Sequence, residues 1–383
     1  MKKRIGIVGG GQLGRMLSQA AQKLDFDVIV LDPTPNSPAG QISQGQIVAG
    51  FKDAEAIRQL ASDVDFMTFE IESADAETLR DLKNAGKEIH PSPETLQIIK
   101  DKFGQKEFLR ERGIDVADAC TVDNAEDLAT AIQTFDFPIL LKARFDAYDG
   151  RGNALIRGED DIEVALRKLF GDSEDGFVSG RLYAEKFVPF VKEIAVVAAR
   201  STDGDVKVFP VVETIHKNNI CHQVIAPAQI SEEIQMRAQA SAAKVMNALE
   251  GVGVFGIEMF VTGSGEVLVN EIAPRVHNSG HHTIEACETS QFEQHIRAIT
   301  GMSLGETTLK APSAVMINIL GERSGSAEAS GLEQFEDDAN THIHIYGKLE
   351  TRPERKMGHI TVLGDTVEDT IAKAMDVRNA IKI

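Results

Sequence analysis

Residues 254–261 read Val254-Phe255-Gly256-Ile257-Glu258-Met259-Phe260-Val261, and residues 267–272 read Val267-Leu268-Val269-Asn270-Glu271-Ile272. Both runs are apolar, of strand length, and separated by Gly263-Ser264-Gly265, which is a hairpin signature. A four-residue loop over 263–266 pairs Thr262 with Val267, and the same register sets Glu258 directly opposite Glu271. Like charges across a strand pair repel, and burial among apolar neighbours raises the cost. A shared divalent cation removes the conflict. Mg²⁺ suits the place, because it takes one or two carboxylates together with substrate phosphates. The competing reading, two solvated carboxylates near a hairpin end, fits poorly with flanks this apolar. Asn270, on the other face or twisted toward the metal, is a weaker ligand.

A metal between carboxylates calls for phosphates, and the chain offers cations for them. Lys142 ends the apolar run Phe137-Pro138-Ile139-Leu140-Leu141. Such a lysine either snorkels to solvent or meets an anion. Ala147-Tyr148-Asp149-Gly150-Arg151-Gly152-Asn153 lies between two strands. It is either a plain Asp-Gly turn or a cradle of backbone N–H groups, with Arg151 adding charge. Glu185-Lys186-Phe187-Val188 ends a strand and Glu193 sits on the next. An extended segment can offer a carbonyl and an N–H to an adenine edge, and a carboxylate can take ribose hydroxyls, but spacing alone favours an ordinary connection. Lys102, after Lys100-Asp101, falls on a helix, where lysines are common.

Two further cationic groups follow the hairpin. Arg275-Val276-His277-Asn278-Ser279-Gly280-His281-His282 comes directly after Glu271, and Lys348, Arg352, Arg355 and Lys356 form a later cluster. The whole chain carries 40 Lys plus Arg against 59 Asp plus Glu, a formal charge of −19. A local reversal of sign beside a metal site reads as an anion pocket. The histidine pairs find no third ligand at zinc spacing. There is no Gly-x-x-x-x-Gly-Lys-Ser/Thr, which excludes a P-loop. The pattern is a Mg²⁺–nucleotide site between a lysine-bearing sheet and a carboxylate-bearing one.

The first ninety residues are of another kind. Strand periods at 4–8, 27–31, 45–49, 65–69 and 87–90 alternate with helical periods at 12–23, 54–61 and 75–85. That order implies a parallel sheet with crossover helices. Gly9-Gly10-Gly11-Gln12-Leu13-Gly14 follows the first strand and opens a helix, and Asp32 ends the second strand. A dinucleotide site is one reading of that turn; close helix packing, or another phosphate, is the other. Pro91-Ser92-Pro93 marks a boundary. Segments 181–188, 191–200, 206–216 and 220–226 read as an antiparallel sheet, with one long helix at 232–249 after them. Short strands at 314–320, 342–346 and 359–363 precede a terminal helix over 367–381.

At 383 residues the chain has room for two or three domains. Its acidity argues against nucleic acid or an anionic membrane as partner. Three scattered cysteines exclude a disulfide framework and a cysteine zinc site. No run approaches a membrane span, and the four apolar residues after Lys2-Lys3-Arg4 are too few for a signal peptide. A cytoplasmic protein is expected.

The chain resembles the ATP-grasp superfamily, and within it the N5-carboxyaminoimidazole ribonucleotide synthetases. The resemblance rests on Gly9 to Gly14, Tyr148-Asp149-Gly150-Arg151-Gly152, Glu185-Lys186-Phe187-Val188, Asn270-Glu271-Ile272-Ala273-Pro274-Arg275, His277-Asn278-Ser279-Gly280-His281 and Tyr346-Gly347-Lys348. It covers the whole chain. The family usually has glycines just before Tyr148 and arginine at position 102; here Phe145-Asp146-Ala147 and Lys102 stand there. The resemblance implies a mixed α/β and α+β fold: a Rossmann-like parallel sheet over 1–92, an ATP-grasp domain over 93–300 with lobes at about 115–187 and 188–300, and a small β-rich domain over 301–383. It implies ATP-dependent carboxylation of 5-aminoimidazole ribonucleotide with bicarbonate through carboxyphosphate, in purine biosynthesis. ATP would be held by Lys102, Lys142, the segment 147–153, residues 185–188, Glu193, His216, Asn270 and Glu271. Mg²⁺, or Mn²⁺ in its place, would sit on Glu258 and Glu271. The ribonucleotide would meet Gln12, Leu13, Glu70, His277, Asn278, Ser279, Lys348, Arg355 and Lys356. Tyr148, Asp149, Arg151 and Arg275 would serve the chemistry. A homodimer, and a functional hand-off to the mutase of the next step, also follow from the resemblance. The competing functions are a formate-dependent ribonucleotide transformylase, a nicotinamide dehydrogenase built on the glycine turn, and a non-catalytic ATP-binding regulator.

Overall fold

The computed structural model describes residues 2–145, 152–170, 177 and 179–383. The segments 147–151, singled out above for phosphate and substrate, lie outside the described residues. Three sheets carry the rest of the argument.

The N-terminal sheet is parallel, in the order Gly45–Ile47, Asp27–Leu31, Arg4–Val8, Phe66–Phe69, Glu88–Ile89. Strand order reverses about Arg4–Val8, so the crevice at the carboxyl ends of Arg4–Val8 and Phe66–Phe69 is where a ligand fits in such a sheet. The helix Gln12–Lys23 buries Leu13, Met16, Leu17, Ala20 and Ala21. Their three-and-four spacing is one helix face, and it packs on Ile5, Ile7, Val28 and Val30.

A four-stranded antiparallel sheet follows, in the order Ala119–Val122, Leu182–Lys186, Ile139–Ala143, Asn153–Ile156. Between this sheet and the first run two helices, Pro93–Lys100 and Lys102–Glu111. Asp101 divides them. Its backbone is extended and its carboxylate accepts the Gly104 N–H at 3.0 Å, capping the second helix.

The third sheet has nine antiparallel strands. Its order runs Val267–Ala273, Gly253–Thr262, Phe190–Arg200, Val212–Lys217, Ile220–Ala226, Ser313–Leu320, Lys356–Gly364, Thr341–Ile345, with Val206–Val208 alongside Phe190–Arg200. Three strands of the last eighty residues therefore extend the central sheet, through Ile220–Ala226 against Ser313–Leu320, while Gly325–Ser326 and Glu350–Thr351 pair apart from it. The expected strand over 206–216 is two, broken at Phe209-Pro210-Val211, because proline has no N–H for the ladder. The helix Gln291–Thr300, which the sequence reading passed over, buries Phe292, Ile296 and Ile299 between the N-terminal and central sheets. The helix Glu232–Leu249 backs the other face through Ala238, Ala242, Val245, Met246 and Leu249.

Candidate active site

Asn270 sets the geometry of the site. The turn closes on three residues, with the Thr262 N–H donating to the Glu266 carbonyl at 3.0 Å. Val261 therefore faces Val267, one residue out from the four-residue loop expected. Carried on, that register would put Asn270 opposite Glu258. Instead the ladder shifts between Glu258 and Met259, Asn270 is the extra residue, and Glu271 returns to face Glu258. The expected pairing is present, by a different route.

The two carboxylates differ in their surroundings. Burial, with the Glu271 charge beside it, pushes Glu258 up to about 7. Burial also works against charge on Glu271, but Lys102 and Lys142 outweigh it and hold Glu271 below the usual carboxylate range. Lys102 Nζ lies 2.6 Å from Glu271 Oε1. His277 Nε2 lies 3.5 Å from Glu258 Oε1. Burial, reinforced by Arg275 and Lys356, pushes His277 down to about 3, so it is neutral and its Nδ1 shares a 2.8 Å hydrogen bond with Ser279 Oγ.

Across from the hairpin, Lys142 reaches inward and does not snorkel. Its Nζ lies 3.3 Å from Glu185 Oε1, and the Glu185 carboxylate is 1% exposed. A second lysine meets the same carboxylate: Lys106 Nζ is 2.8 Å from Glu185 Oε2. The sequence reading missed Lys106. Its signal was present, since Lys102 and Lys106 are four apart on one helix and share a face. Enclosure between two lysines removes the Glu185 side chain from any base, leaving such contact to the backbone and neighbours at Lys186, Phe187 and Val188. Glu193 and His216 are brought together, with His216 Nδ1 2.9 Å from Glu193 Oε2. Burial opposes charge on His216, yet the bond to Glu193 lifts it above its ordinary value. Asn153 pairs with Lys142 across the strands, and the Gly152 carbonyl accepts the Ala143 N–H at 2.8 Å.

A cavity of about 530 Å³ opens beside this cluster, lined by Gln12, Leu13, Glu70, Glu72, Lys102, Arg275, His277, Asn278 and Lys356 among others. It spans the crevice of the parallel sheet and the edge of the carboxylate hairpin. Arg275 approaches Glu72 at 3.4 Å. Asn278 is fixed by reciprocal amide bonds with Asn318, at 3.0 and 2.6 Å, a partner that no local pattern announces. Lys348 Nζ donates to the Lys356 carbonyl at 2.5 Å, and Arg355 Nη1 to the Glu350 carbonyl at 2.6 Å. Burial, with Arg355 and Lys356 nearby, pulls the Lys348 ammonium down to about 8.

The glycine turn belongs to Glu70. Its two carboxylate oxygens accept the N–H groups of Gly11 and Gly14, and Asp32 accepts the Gly10 N–H at 2.8 Å. A side chain on Gly9 or Gly11 would collide with Glu70. These are the amides a dinucleotide pyrophosphate needs, so the dinucleotide reading of the turn is overturned. Both oxygens of Glu70 are committed to the backbone, and burial raises its carboxyl above the usual range. It lines the cavity as a fixed wall.

Three family models match in succession: a ribonucleotide synthetase preATP-grasp domain over residues 1–100, an ATP-grasp domain over 107–292, and a phosphoribosylaminoimidazole carboxylase C-terminal domain over 314–373. The N5-carboxyaminoimidazole ribonucleotide synthase of Bacillus subtilis is 40% identical over 367 residues, which is 96% of this chain and 93% of that one. The chain belongs to the N5-carboxyaminoimidazole ribonucleotide synthase family. The crystal structure of the Thermotoga maritima synthetase is 48% identical, superposes with a TM-score of 0.88 and covers 99% of both chains. That of the Aspergillus clavatus synthase, in complex with ADP and 5-aminoimidazole ribonucleotide, is 37% identical with a TM-score of 0.88 over 99% of both. The phosphoribosylaminoimidazole carboxylase of Ogataea methanolica is 45% identical over 373 residues, 95% of this chain and 67% of that one. The chain spans about two thirds of such fungal and plant relatives.

Proposed function

We propose that this chain is an ATP-dependent carbon–nitrogen ligase that carboxylates 5-aminoimidazole ribonucleotide with bicarbonate, releasing ADP and phosphate, in purine biosynthesis. The observation that carries the reading is the carboxylate pair Glu258 and Glu271 with Lys102 and Lys142 close to it, beside a cavity with its own cations.

Each part of that arrangement has a task. Bicarbonate is a poor electrophile. Transfer of the γ-phosphoryl group turns its hydroxyl into a leaving group; one P–O bond forms to bicarbonate as the bond to ADP breaks. Such a transfer needs charge neutralised more than it needs a protein nucleophile. Lys102 and Lys142 supply that neutralisation, and Glu193 with His216 takes the ribose side. The exocyclic amine of the ribonucleotide then takes the carboxyl group from carboxyphosphate, phosphate leaves, and the amine gives up a proton. Arg275, with Tyr148, Asp149 and Arg151, serves the bicarbonate and the ring. His277, Asn278, Ser279, Lys348, Arg355 and Lys356 hold the ribonucleotide, with the Gln12-Leu13 turn and the Glu70 wall opposite. Exclusion of water from the cavity would protect the intermediate.

Mg²⁺, or Mn²⁺, fits the residues present. Two half-buried carboxylates face each other, and burial together with the Glu271 charge pushes Glu258 up to about 7, a conflict that a cation relieves. With two carboxylates from the protein, further positions are left for phosphate oxygens and water, as Mg²⁺ prefers. Glu258 and Glu271 would hold it, and it would supply positive charge to offset that of phosphates bound beside them.

We take the units to be 1–92, 93–300 and 301–383, the assembly to be a homodimer, and the setting to be the cytoplasm, with the product passed to the mutase that follows. No described helix is long and apolar enough to cross a membrane. The test is ADP release with and without 5-aminoimidazole ribonucleotide and bicarbonate. Release that needs both, and that falls to background when formate replaces bicarbonate, supports the reading; release indifferent to both overturns it.

A further inference from the structure

Lys106 is 2% exposed and lies on the inner face of the helix Lys102–Glu111. It bonds two elements that otherwise belong to different sheets. One is Glu185 on the four-stranded sheet, at 2.8 Å. The other is the backbone of Asn270 in the carboxylate hairpin, whose carbonyl accepts from Lys106 Nζ at 3.4 Å. Asn270 is the extra residue of the bulge. A bulge leaves its extra residue outside the ladder, and a carbonyl so freed must find a donor elsewhere. The neighbouring residue is also tied down, since the Val269 N–H donates to the Asp115 carbonyl at 2.8 Å, just beyond the same helix.

Lys106 has the reach and the donors for this. An ammonium has three N–H groups on a four-carbon stem, so it can serve Glu185 and Asn270 together. The helix that carries it also presents Lys102 to Glu271 at 2.6 Å. Moving Lys106 out would therefore free the bulge, unbalance Glu185 against Lys142, and shift the register on which the facing of Glu258 and Glu271 depends.

We propose that Lys106 is a positioning residue: it fixes the Asn270 bulge against Glu185, and so sets the distance between the phosphate-facing lysines and the carboxylate pair. The inference rests on the function proposed above. It touches no reacting atom. Its effect falls on the ATP and metal side, while the ribonucleotide cavity is built by other residues.

The experiment is steady-state kinetics of Lys106→Met, with thermal unfolding measured in parallel and 5-aminoimidazole ribonucleotide, ATP and Mg²⁺ varied in turn. The expected result is a KM for ATP and a half-saturating Mg²⁺ concentration each raised tenfold or more, a lower kcat, and a ribonucleotide KM within twofold of the parent. The double variant Lys106→Met/Glu185→Gln removes the buried charge left behind and guards against simple misfolding. It is expected to recover the melting temperature and not the Mg²⁺ dependence. A folded Lys106→Met with unchanged ATP and Mg²⁺ dependence overturns the proposal. So does a double variant with parental kinetics, since Lys106 would then only balance Glu185. Failure of the function itself looks different: the parent protein would show no ADP release dependent on the ribonucleotide and bicarbonate.

Discussion

Glu258 and Glu271 are cross-strand partners because Asn270 is one residue too many for the ladder. Remove the bulge and Glu271 would turn to the other face, since side chains alternate along a strand. The pair faces Lys102 and Lys142, which brings opposite charges to one cleft. Glu271→Gln keeps size and hydrogen bonding and loses the charge. We expect turnover to fall by about 10²–10³-fold, the scale of losing one electrostatic contact in a transition state, with a higher Mg²⁺ requirement and an unchanged melting temperature. Parental activity at limiting Mg²⁺ would remove Glu271 from the metal.

Lys142 is the second case. It is mostly enclosed and shares Glu185 with Lys106. A charged hydrogen bond is worth about 1.5–3 kcal/mol, so Lys142→Ala should raise the KM for ATP by about ten- to a hundredfold. Glu185 keeps Lys106, so the fold should survive. An unaltered KM would return Lys142 to a purely structural role.

Much of this was legible in the sequence, and the reasons are local. The strands Arg4–Val8 and Asp27–Leu31 and the helices Gln12–Lys23 and Glu232–Leu249 fall where hydrophobic period placed them. The glycines of the first turn were equally visible, but their partner was not. Glu70 lies 59 residues from Gly11, and nothing near either residue announces the contact. The same holds for Asn278 with Asn318, 40 residues apart. The joining of Ile220–Ala226 to Ser313–Leu320 is likewise non-local, so periodicity found the strands and could not find the sheet. Lys106 shares a helix face with Lys102, but that spacing alone does not single it out: lysine on a helix is usually solvated, and the buried Glu185 makes this one an exception.

The ribonucleotide side should respond separately from ATP. Lys356 lines the cavity and Lys348 bonds its carbonyl, while Arg355 is partly engaged with Glu350. Lys356→Ala should raise the KM for 5-aminoimidazole ribonucleotide by about tenfold or more, Arg355→Ala by less, and neither should move the KM for ATP. Equal loss of ATP affinity in both would assign the cluster to the nucleotide triphosphate.

Lys348 gives that side a pH limit. Burial and the neighbouring cations Arg355, Lys356 and Arg352 bring its ammonium down to about 8. Above that value it loses its charge, and a phosphate dianion loses a partner. The KM for the ribonucleotide should therefore climb above pH 8, toward about tenfold per pH unit while one group controls it. Lys348→Met should show a high KM with no inflection near pH 8. An inflection that persists in that variant would place the titration elsewhere.

Acid should act on the fold through a different set of groups. His295 accepts the Val254 N–H at 3.0 Å and meets Thr68 Oγ1 at 2.7 Å, tying the central hairpin to the parallel sheet. Both contacts use the neutral ring, and burial pushes His295 down to about 3 and His282 to about 4. Burial likewise carries His281 and His359 well below the ordinary value. In the unfolded chain each of these rings takes up a proton near pH 6.5; in the folded chain it does not. Above pH 6.5 both states are neutral and nothing is lost. As pH falls from 6.5 toward 4, the unfolded state binds more protons, and stability drops by up to about 1.4 kcal/mol per pH unit for each ring. Denaturant unfolding at pH 7.5 and pH 5.5 should show a marked loss at the lower value. His295→Gln, which keeps an acceptor for the backbone and cannot titrate, should start less stable at pH 7.5 and lose less between the two. An equal loss in parent and variant would show that His295 does not carry its share of the acid sensitivity.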